Sequence, residues 1–139
     1  MARNLGDRRL AGNILCALAR IARTRGDATR ARASLAEALI SHRAVGDVGQ
    51  QAHMMYTLAA LHADAGQLED AVRLSAAAAR VEEQLGIGVW PVIRRERDAW
   101  LEPARRALAA ERFARAWEHG QAMTREQAFE YALEDSRKP

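Results

Sequence analysis

The chain has 139 residues, enough for one domain with a sizeable core, and 49% of them are hydrophobic, which excludes a disordered chain. Its single cysteine, Cys16, excludes an internal disulfide. The net charge of +3 is mild, and we interpret the nine arginines of residues 1–45 as a solvated helix surface, because nucleic-acid-binding proteins show a stronger and more clustered excess.

Glycines recur every twenty residues along most of the chain, at positions 6, 26, 46, 66 and 86, and an Asp follows the first three. Glycine is preferred just past a helix end, and Asp caps the helix that follows. Each Gly-Asp pair therefore predicts that one helix stops and the next begins. Since twenty residues hold one helix and a short turn, residues 7–86 are predicted to form four antiparallel helices.

The segments between these glycines have apolar residues at helical spacing. The first helix is predicted to place six of them on one face: Leu10, Ile14, Leu15, Leu18, Ile21 and Ala22. Residues forty positions apart also match: Leu18-Ala19 with Leu58-Ala59, Gly26 with Gly66, Ala31 with Ala71, and Ala38 with Ala78. The sequence therefore predicts one helical hairpin present twice, over residues 7–44 and 47–86.

The last third of the chain does not continue this repeat. Pro91 suits the first turn of a helix, and Pro103 is expected to kink or restart that helix near Glu102. A shorter helix is predicted around residues 111–119, with Gly120 as its stop.

A final helix is predicted to begin after Thr124, which forms a capping box with Gln127. The segment 91–135 contains aromatic residues suited to covering the open end of a repeat array, so we predict a C-terminal helical cap. Residues 136–139 are predicted to form a disordered tail.

The spacing of small residues in both hairpins resembles the tetratricopeptide repeat (TPR). The matching positions are Leu18, Ala19, Ala31, Leu35 and Ala38 in the first unit and Leu58, Ala59, Ala71 and Ala78 in the second. His62 and Ser75 depart from it, where an aromatic and a larger apolar residue are usual. The forty-residue unit and the closing stretch "ERFARAWEHGQAMTREQAFEYAL" are similar to the C-terminal domain of large bacterial LuxR/MalT-type and SARP-type transcriptional regulators.

This resemblance implies an all-α fold of TPR-like hairpins forming an α-α superhelix. It also implies a non-enzymatic module that serves as the sensor or scaffold part of such a regulator. In the TPR register the first helix of each hairpin lines a concave face. The candidate ligand- or peptide-binding residues on that face are Asn13, Arg20, Arg23, His53 and Tyr56.

Arginine side chains in this set suit a carboxylate or an acidic peptide, because a guanidinium group binds a carboxylate through paired hydrogen bonds. The expected partner is a protein, a peptide or a small effector. The alternative is a structural adaptor that forms a homodimer, through an apolar stripe on residues 7–25 at the open end of the array.

No catalytic, metal or cofactor site is predicted. Cys16 lies in mid-helix, away from groups that would lower its pKa. The four histidines lack metal-ligand spacing, and no glycine-rich phosphate loop is present. The helices are too long and too rich in alanine for sequence-specific DNA binding. Because no segment resembles a membrane span or a signal peptide, we expect a cytoplasmic protein.

Overall fold

A computed structural model describes residues 2–45, 48–86 and 91–136 of the chain. These residues form seven helices and no strand, which confirms the predicted all-α class. In chain order the helices are α1 (Ala2–Thr24), α2 (Ala28–Val45), α3 (Val48–Asp64), α4 (Leu68–Leu85), α5 (Pro91–Ala107), α6 (Ala110–Gln121) and α7 (Arg125–Ser136).

Glycine turns end three of these helices, as the twenty-residue spacing predicts. Gly26, Gly66 and Gly86 have φ angles of +77°, +79° and +68°. Glycine is the residue that adopts this left-handed conformation without a steric cost. After the first turn, the Asp27 carboxylate accepts a hydrogen bond from the backbone N–H of Arg30 at 3.1 Å, so Asp27 caps α2.

The first hairpin begins earlier than predicted. α1 runs from Ala2 through Gly6, so Gly6 is not a helix stop. A helix continues through a single glycine at a cost of about 1 kcal/mol, which neighbouring turns offset. The Gly46-Asp47 pair and residues 137–139 of the predicted tail lie outside the described residues.

Pro103 does not restart a helix near Glu102, because α5 continues through it to Ala107. A proline inside a helix removes the hydrogen bond to the carbonyl four residues earlier, which belongs to Ala99. Both Ala99 and Pro103 are exposed, so water can bind the carbonyl that the helix leaves without a partner.

Gly120 is a point of close approach between α6 and α4. It is buried, and a Cβ built on it would overlap the carbonyl oxygen of Arg73 and lie 2.6 Å from the Cβ of Ala76. The predicted helix stop at Gly120 is therefore wrong. α6 continues to Gln121, whose side-chain amide donates a hydrogen bond to the carbonyl of Ala76 at 2.7 Å.

α4 is the central helix of the fold and contacts α3, α5, α6 and α7. Its buried residues are mostly small: Ala71, Val72, Leu74, Ser75, Ala76, Ala77, Ala78 and Val81. Because alanine side chains are short, other helices approach α4 closely from several sides. One hydrophobic core extends from Ala19 in α1 to Leu133 in α7.

The C-terminal helices lie against the two hairpins. α5 contacts α3, and α7 contacts α2 and α4. Apolar residues on both helices are buried: Ile93, Trp100, Leu101 and Ala104 on α5, and Phe129, Ala132 and Leu133 on α7. The predicted capping box is confirmed, since Thr124 and Gln127 exchange backbone-to-side-chain hydrogen bonds of 2.9 and 3.1 Å.

The packing of Gly120 predicts that Gly120→Ala destabilises the protein by about 3 kcal/mol, because backbone atoms of α4 must move to admit a methyl group. In an exposed helix the same change would stabilise by about 1 kcal/mol. Chemical denaturation measures the difference. Ala114→Gly, at an exposed site of the same helix, is the control for helix propensity; stabilisation by Gly120→Ala would contradict the close packing.

Candidate protein-interaction surface

The arginines predicted to bind a ligand are already paired with carboxylates. The guanidinium group of Arg20 donates to Glu96 of α5 at 2.5 Å. Arg23 donates two hydrogen bonds to the carboxylate of Asp64, at 2.7 and 3.0 Å. Such charge-assisted pairs satisfy the groups that an acidic ligand would need.

The other predicted binding residues differ in exposure. Tyr56 is 2% exposed, and its hydroxyl donates to the carboxylate of Glu82. Burial, followed by the hydrogen bond and charge of Glu82, raises the pKa of Tyr56 well above its usual value. The guanidinium group of Arg97 lies 5.5 Å from the Tyr56 ring centroid. His53 is buried, and Asn13 is exposed.

α5 thus brings Glu96 and Arg97 against the side of the hairpins that carries Arg20 and Tyr56. The structure does not bring the five predicted residues together as one open site. Their role in ligand binding stays a prediction.

The open surface is on the outer side of the first hairpin. Five large aliphatic side chains are between 46% and 60% exposed: Leu10, Ile14, Leu18 and Ile21 on α1, and Ile40 on α2. We call these five residues the outer face. Of the six residues predicted to share one face of α1, Leu10, Ile14, Leu18 and Ile21 are exposed together, whereas Ala22 is buried and Leu15 is half-buried.

The packing of α1 on α2 explains why the large aliphatic side chains of α1 are exposed. α1 places its smallest residues toward α2: Ala19 and Ala22 are buried, and a Cβ on Gly12 would lie 2.6 Å from the imidazole ring of the buried His42. Small residues on this side allow the two helices to approach closely. The bulky residues of α1 then lie on the side away from α2.

The second repeat unit shows what kind of contact the positions of the outer face can make. Its residues Met54, Leu58 and Leu61 stand forty positions after Ile14, Leu18 and Ile21, and they are 0–3% exposed. α3 packs against α1, α2, α4, α5 and α7, and all of its residues from Ala52 to His62 are buried. The same repeat positions are therefore buried in the second unit and exposed on the first hairpin.

A groove of about 680 Å³ continues the outer face between α1 and α2. Its floor is apolar and includes Leu18, Ile21 and Ala22. Its rim is charged and carries both signs, with Arg25, Asp27, Arg30 and Glu37. An apolar centre with a polar rim is the usual anatomy of a protein–protein interface.

A second opening, of about 570 Å³, lies between α4 and α6 and contains three arginines, Arg73, Arg112 and Arg115. Arg73 donates to Asp70 at 2.8 Å, and Arg112 donates to Glu69 at 2.6 Å. Because acidic neighbours neutralise two of the three guanidinium groups, this opening lacks the concentrated positive charge of an anion site.

A buried polar cluster attaches α7 to the hairpins. His62 of α3 and Asp135 of α7 are 2% and 4% exposed, and the imidazole Nε2 contacts the Asp135 carboxylate. The other ring nitrogen contacts the Gln67 side-chain oxygen at 2.6 Å, and Arg32 donates to the backbone carbonyl of Asp135 at 3.3 Å.

Sequence reasoning missed this cluster because His62 and Asp135 lie 73 positions apart. The one signal was that His62 stands where a TPR unit usually has an aromatic residue. The cluster joins elements rather than lining an opening, so we assign it a structural role.

Cys16 is half-buried and unsuited to nucleophilic chemistry. Burial raises the pKa of its thiol to about 11, and the opposing effect of the nearby Arg20 charge is smaller. A thiol is reactive as its thiolate, which is scarce at neutral pH when the pKa is this high.

Among the described residues, no three His, Cys, Asp or Glu side chains come together in an arrangement that could hold a metal ion. None of the seven helices combines the length and the apolar character needed to span a membrane. No protein-family model, curated protein or solved structure matches the chain, so the proposals below depend on its own sequence and geometry.

The His62 cluster predicts that Asp135→Asn destabilises the protein by about 3 kcal/mol, because the change leaves a buried imidazole without its charged partner. Urea denaturation measures this effect. Glu134→Gln makes the same chemical change at the adjacent exposed position and should alter stability by less than about 0.5 kcal/mol. Equal effects of the two substitutions would contradict a structural role for the buried pair.

The raised pKa of Cys16 predicts slow alkylation by iodoacetamide at pH 8 in the folded protein. The alkylation rate should keep rising as the pH approaches and passes about 11, because the thiolate fraction grows through that pKa. Thiolate absorbance at 240 nm gives an independent titration. The urea-unfolded chain is the control, and a folded-state midpoint at or below that of the unfolded chain would contradict the effect of burial.

Proposed function

We propose that the chain is a non-enzymatic protein-interaction module that self-associates through the outer face of its first hairpin. The observation that supports this most directly is the contiguous exposure of Leu10, Ile14, Leu18 and Ile21 along one side of α1. Single exposed aliphatic residues are ordinary on protein surfaces, but a contiguous apolar patch is typical of an interaction site.

The repeat supports a helical hairpin as the occupant of this face. Positions equivalent to Ile14, Leu18 and Ile21 are buried in the second unit, whose α3 packs against both helices of the first hairpin. A surface that receives a hairpin at one repeat has the shape and spacing to receive one at the next. A second copy of the chain supplies such a hairpin.

The C-terminal helices cover the other end of the hairpins, and this favours pairing of two identical outer faces. α5, α6 and α7 lie against α3 and α4, so another copy cannot stack its outer face onto α3 and α4. A contact between two outer faces is isologous and closes as a dimer. The rim of the groove, which carries both charge signs, is compatible with such pairing.

The wider role proposed is that of the sensor or scaffold part of a bacterial transcription regulator. Its support is the resemblance of the forty-residue unit and the closing segment to LuxR/MalT-type and SARP-type regulators. Self-association would give such a regulator a twofold scaffold. We further propose that the chain acts in the cytoplasm without a cofactor.

The proposal predicts that the chain is a dimer, with twice its monomer mass of 15.4 kDa, in light scattering at concentrations up to about 0.1 mM. The double variant Ile14→Glu/Leu18→Glu should be a monomer, because four carboxylates would be placed in one apolar contact. Since both side chains are half exposed in the monomer, circular dichroism should show unchanged helix content.

A matched pair of substitutions separates the face from general surface charge. Ala17→Glu lies on the exposed side of α1, and Ala114→Glu lies on the exposed side of α6. The first should weaken the dimer, and the second should leave it intact. A wild-type monomer at the highest concentration, or equal effects of the two alanine variants, would overturn the proposal.

A further inference from the structure

We infer that the two copies pair with their α1 helices antiparallel across a twofold axis near the middle of the exposed stripe. This inference rests on the proposed self-association and adds the partner geometry and the charges that select it. On the exposed side of α1, the apolar stripe has Asp7 before it and Arg25 after it, and the exposed Arg8 and Arg9 lie next to Asp7.

The pattern spans five turns of α1. The apolar middle consists of Leu10, Ile14, Leu18 and Ile21, with the small Ala17 between them. Asp7 lies three residues before this stripe, and Arg25 lies four residues after it; both side chains are exposed. Residues three and four apart share a helix face, so Asp7 and the apolar stripe lie on one side of α1, and Arg25 lies in the turn that follows the helix.

Antiparallel pairing matches this pattern with itself. With the twofold axis between Ile14 and Leu18, each Ile14 lies opposite the partner's Leu18. Each Leu10 then lies opposite the partner's Ile21. The residue spacings within the stripe are nearly the same when read from either end of α1. The small Ala17 near the axis allows the two helices to approach closely.

The charges at the two ends distinguish antiparallel from parallel pairing. In the antiparallel arrangement, Asp7 of each copy lies near Arg25 of the partner copy, which gives two ion pairs related by the axis. Parallel pairing would instead place Asp7 beside Asp7 and Arg25 beside Arg25. Like charges in contact destabilise and opposite charges stabilise, so the charge pattern selects the antiparallel orientation.

The groove between α1 and α2 fits the same geometry. It lies at the C-terminal half of α1, beside Leu18 and Ile21, and Arg25 and Arg30 are on its rim. Antiparallel pairing brings the N-terminal half of the partner's α1 to this groove. Partner side chains at positions 10 and 14 then meet Leu18 and Ile21, and the partner's Asp7 meets a rim that carries Arg25 and Arg30 together with Asp27 and Glu37.

A charge exchange tests the orientation. Asp7→Arg or Arg25→Asp alone should raise the dimer Kd on the order of tenfold at low salt, because each creates two like-charge contacts. The double variant Asp7→Arg/Arg25→Asp should return the Kd to within about threefold of wild type. These differences should shrink in 1 M NaCl, where the screening length is about 3 Å. Glu118→Arg, exposed on α6, is the off-face control.

Disulfide cross-linking in a Cys16→Ser background gives a second, geometric readout. Antiparallel pairing separates the two copies of residue 10 by about 18 Å along the helix axis, because each residue rises 1.5 Å. Leu10→Cys alone should therefore form no dimeric disulfide, whereas a mixture of Leu10→Cys and Ile21→Cys chains should form a mixed one.

The outcomes separate this inference from the proposed function. A dimer with restored affinity in the charge-exchange variant and a mixed disulfide supports both. A dimer in which Leu10→Cys cross-links to itself, or in which the double variant is no better than the single variants, overturns the antiparallel orientation but not self-association. A wild-type monomer overturns both.

Discussion

Close approach of helices across small residues is the constraint on which the rest of the structure depends. α4 is lined with buried alanines, and Gly120 admits the backbone of α4 against α6 where a methyl group would overlap it. Between α1 and α2, Gly12 leaves room for the imidazole ring of His42, and Ala19 is buried. Helices this close bury backbone and Cβ atoms against one another, so the core is built from many short contacts and few large side chains.

This constraint determines where the larger side chains lie. Because the small residues of α1 are used against α2, its isoleucines and leucines lie on the opposite side. In the second unit the equivalent helix, α3, packs against both helices of the first hairpin, and Met54 and Leu58 are buried. Packing of the two helices within the first hairpin thus uses small residues, whereas the large residues lie on the side used for stacking one unit on another. The apolar outer face therefore follows from the repeat itself.

The sequence predicted the features that depend on local chemistry. Turns at Gly26, Gly66 and Gly86 require a positive φ, and the Thr124 capping box requires two side chains three residues apart, so both are visible in one short segment. Periodicity found the apolar residues of α1, but it does not say which neighbour covers them, so it could not predict that Ala22 is buried and Leu18 exposed. Gly120 was misread as a helix stop because its role depends on Arg73, a residue of another helix.

A repeat array with two open ends can add units without limit, whereas one with a single open face cannot. Here α5, α6 and α7 cover the second hairpin, and the buried contact of Asp135 with His62 attaches the last of them. In the proposed dimer, the apolar outer face of one copy is covered by that of the other across a twofold axis. Opposite charges at the two ends of α1 would fix the orientation of that pair, while the alanine-based core of each copy remains unchanged.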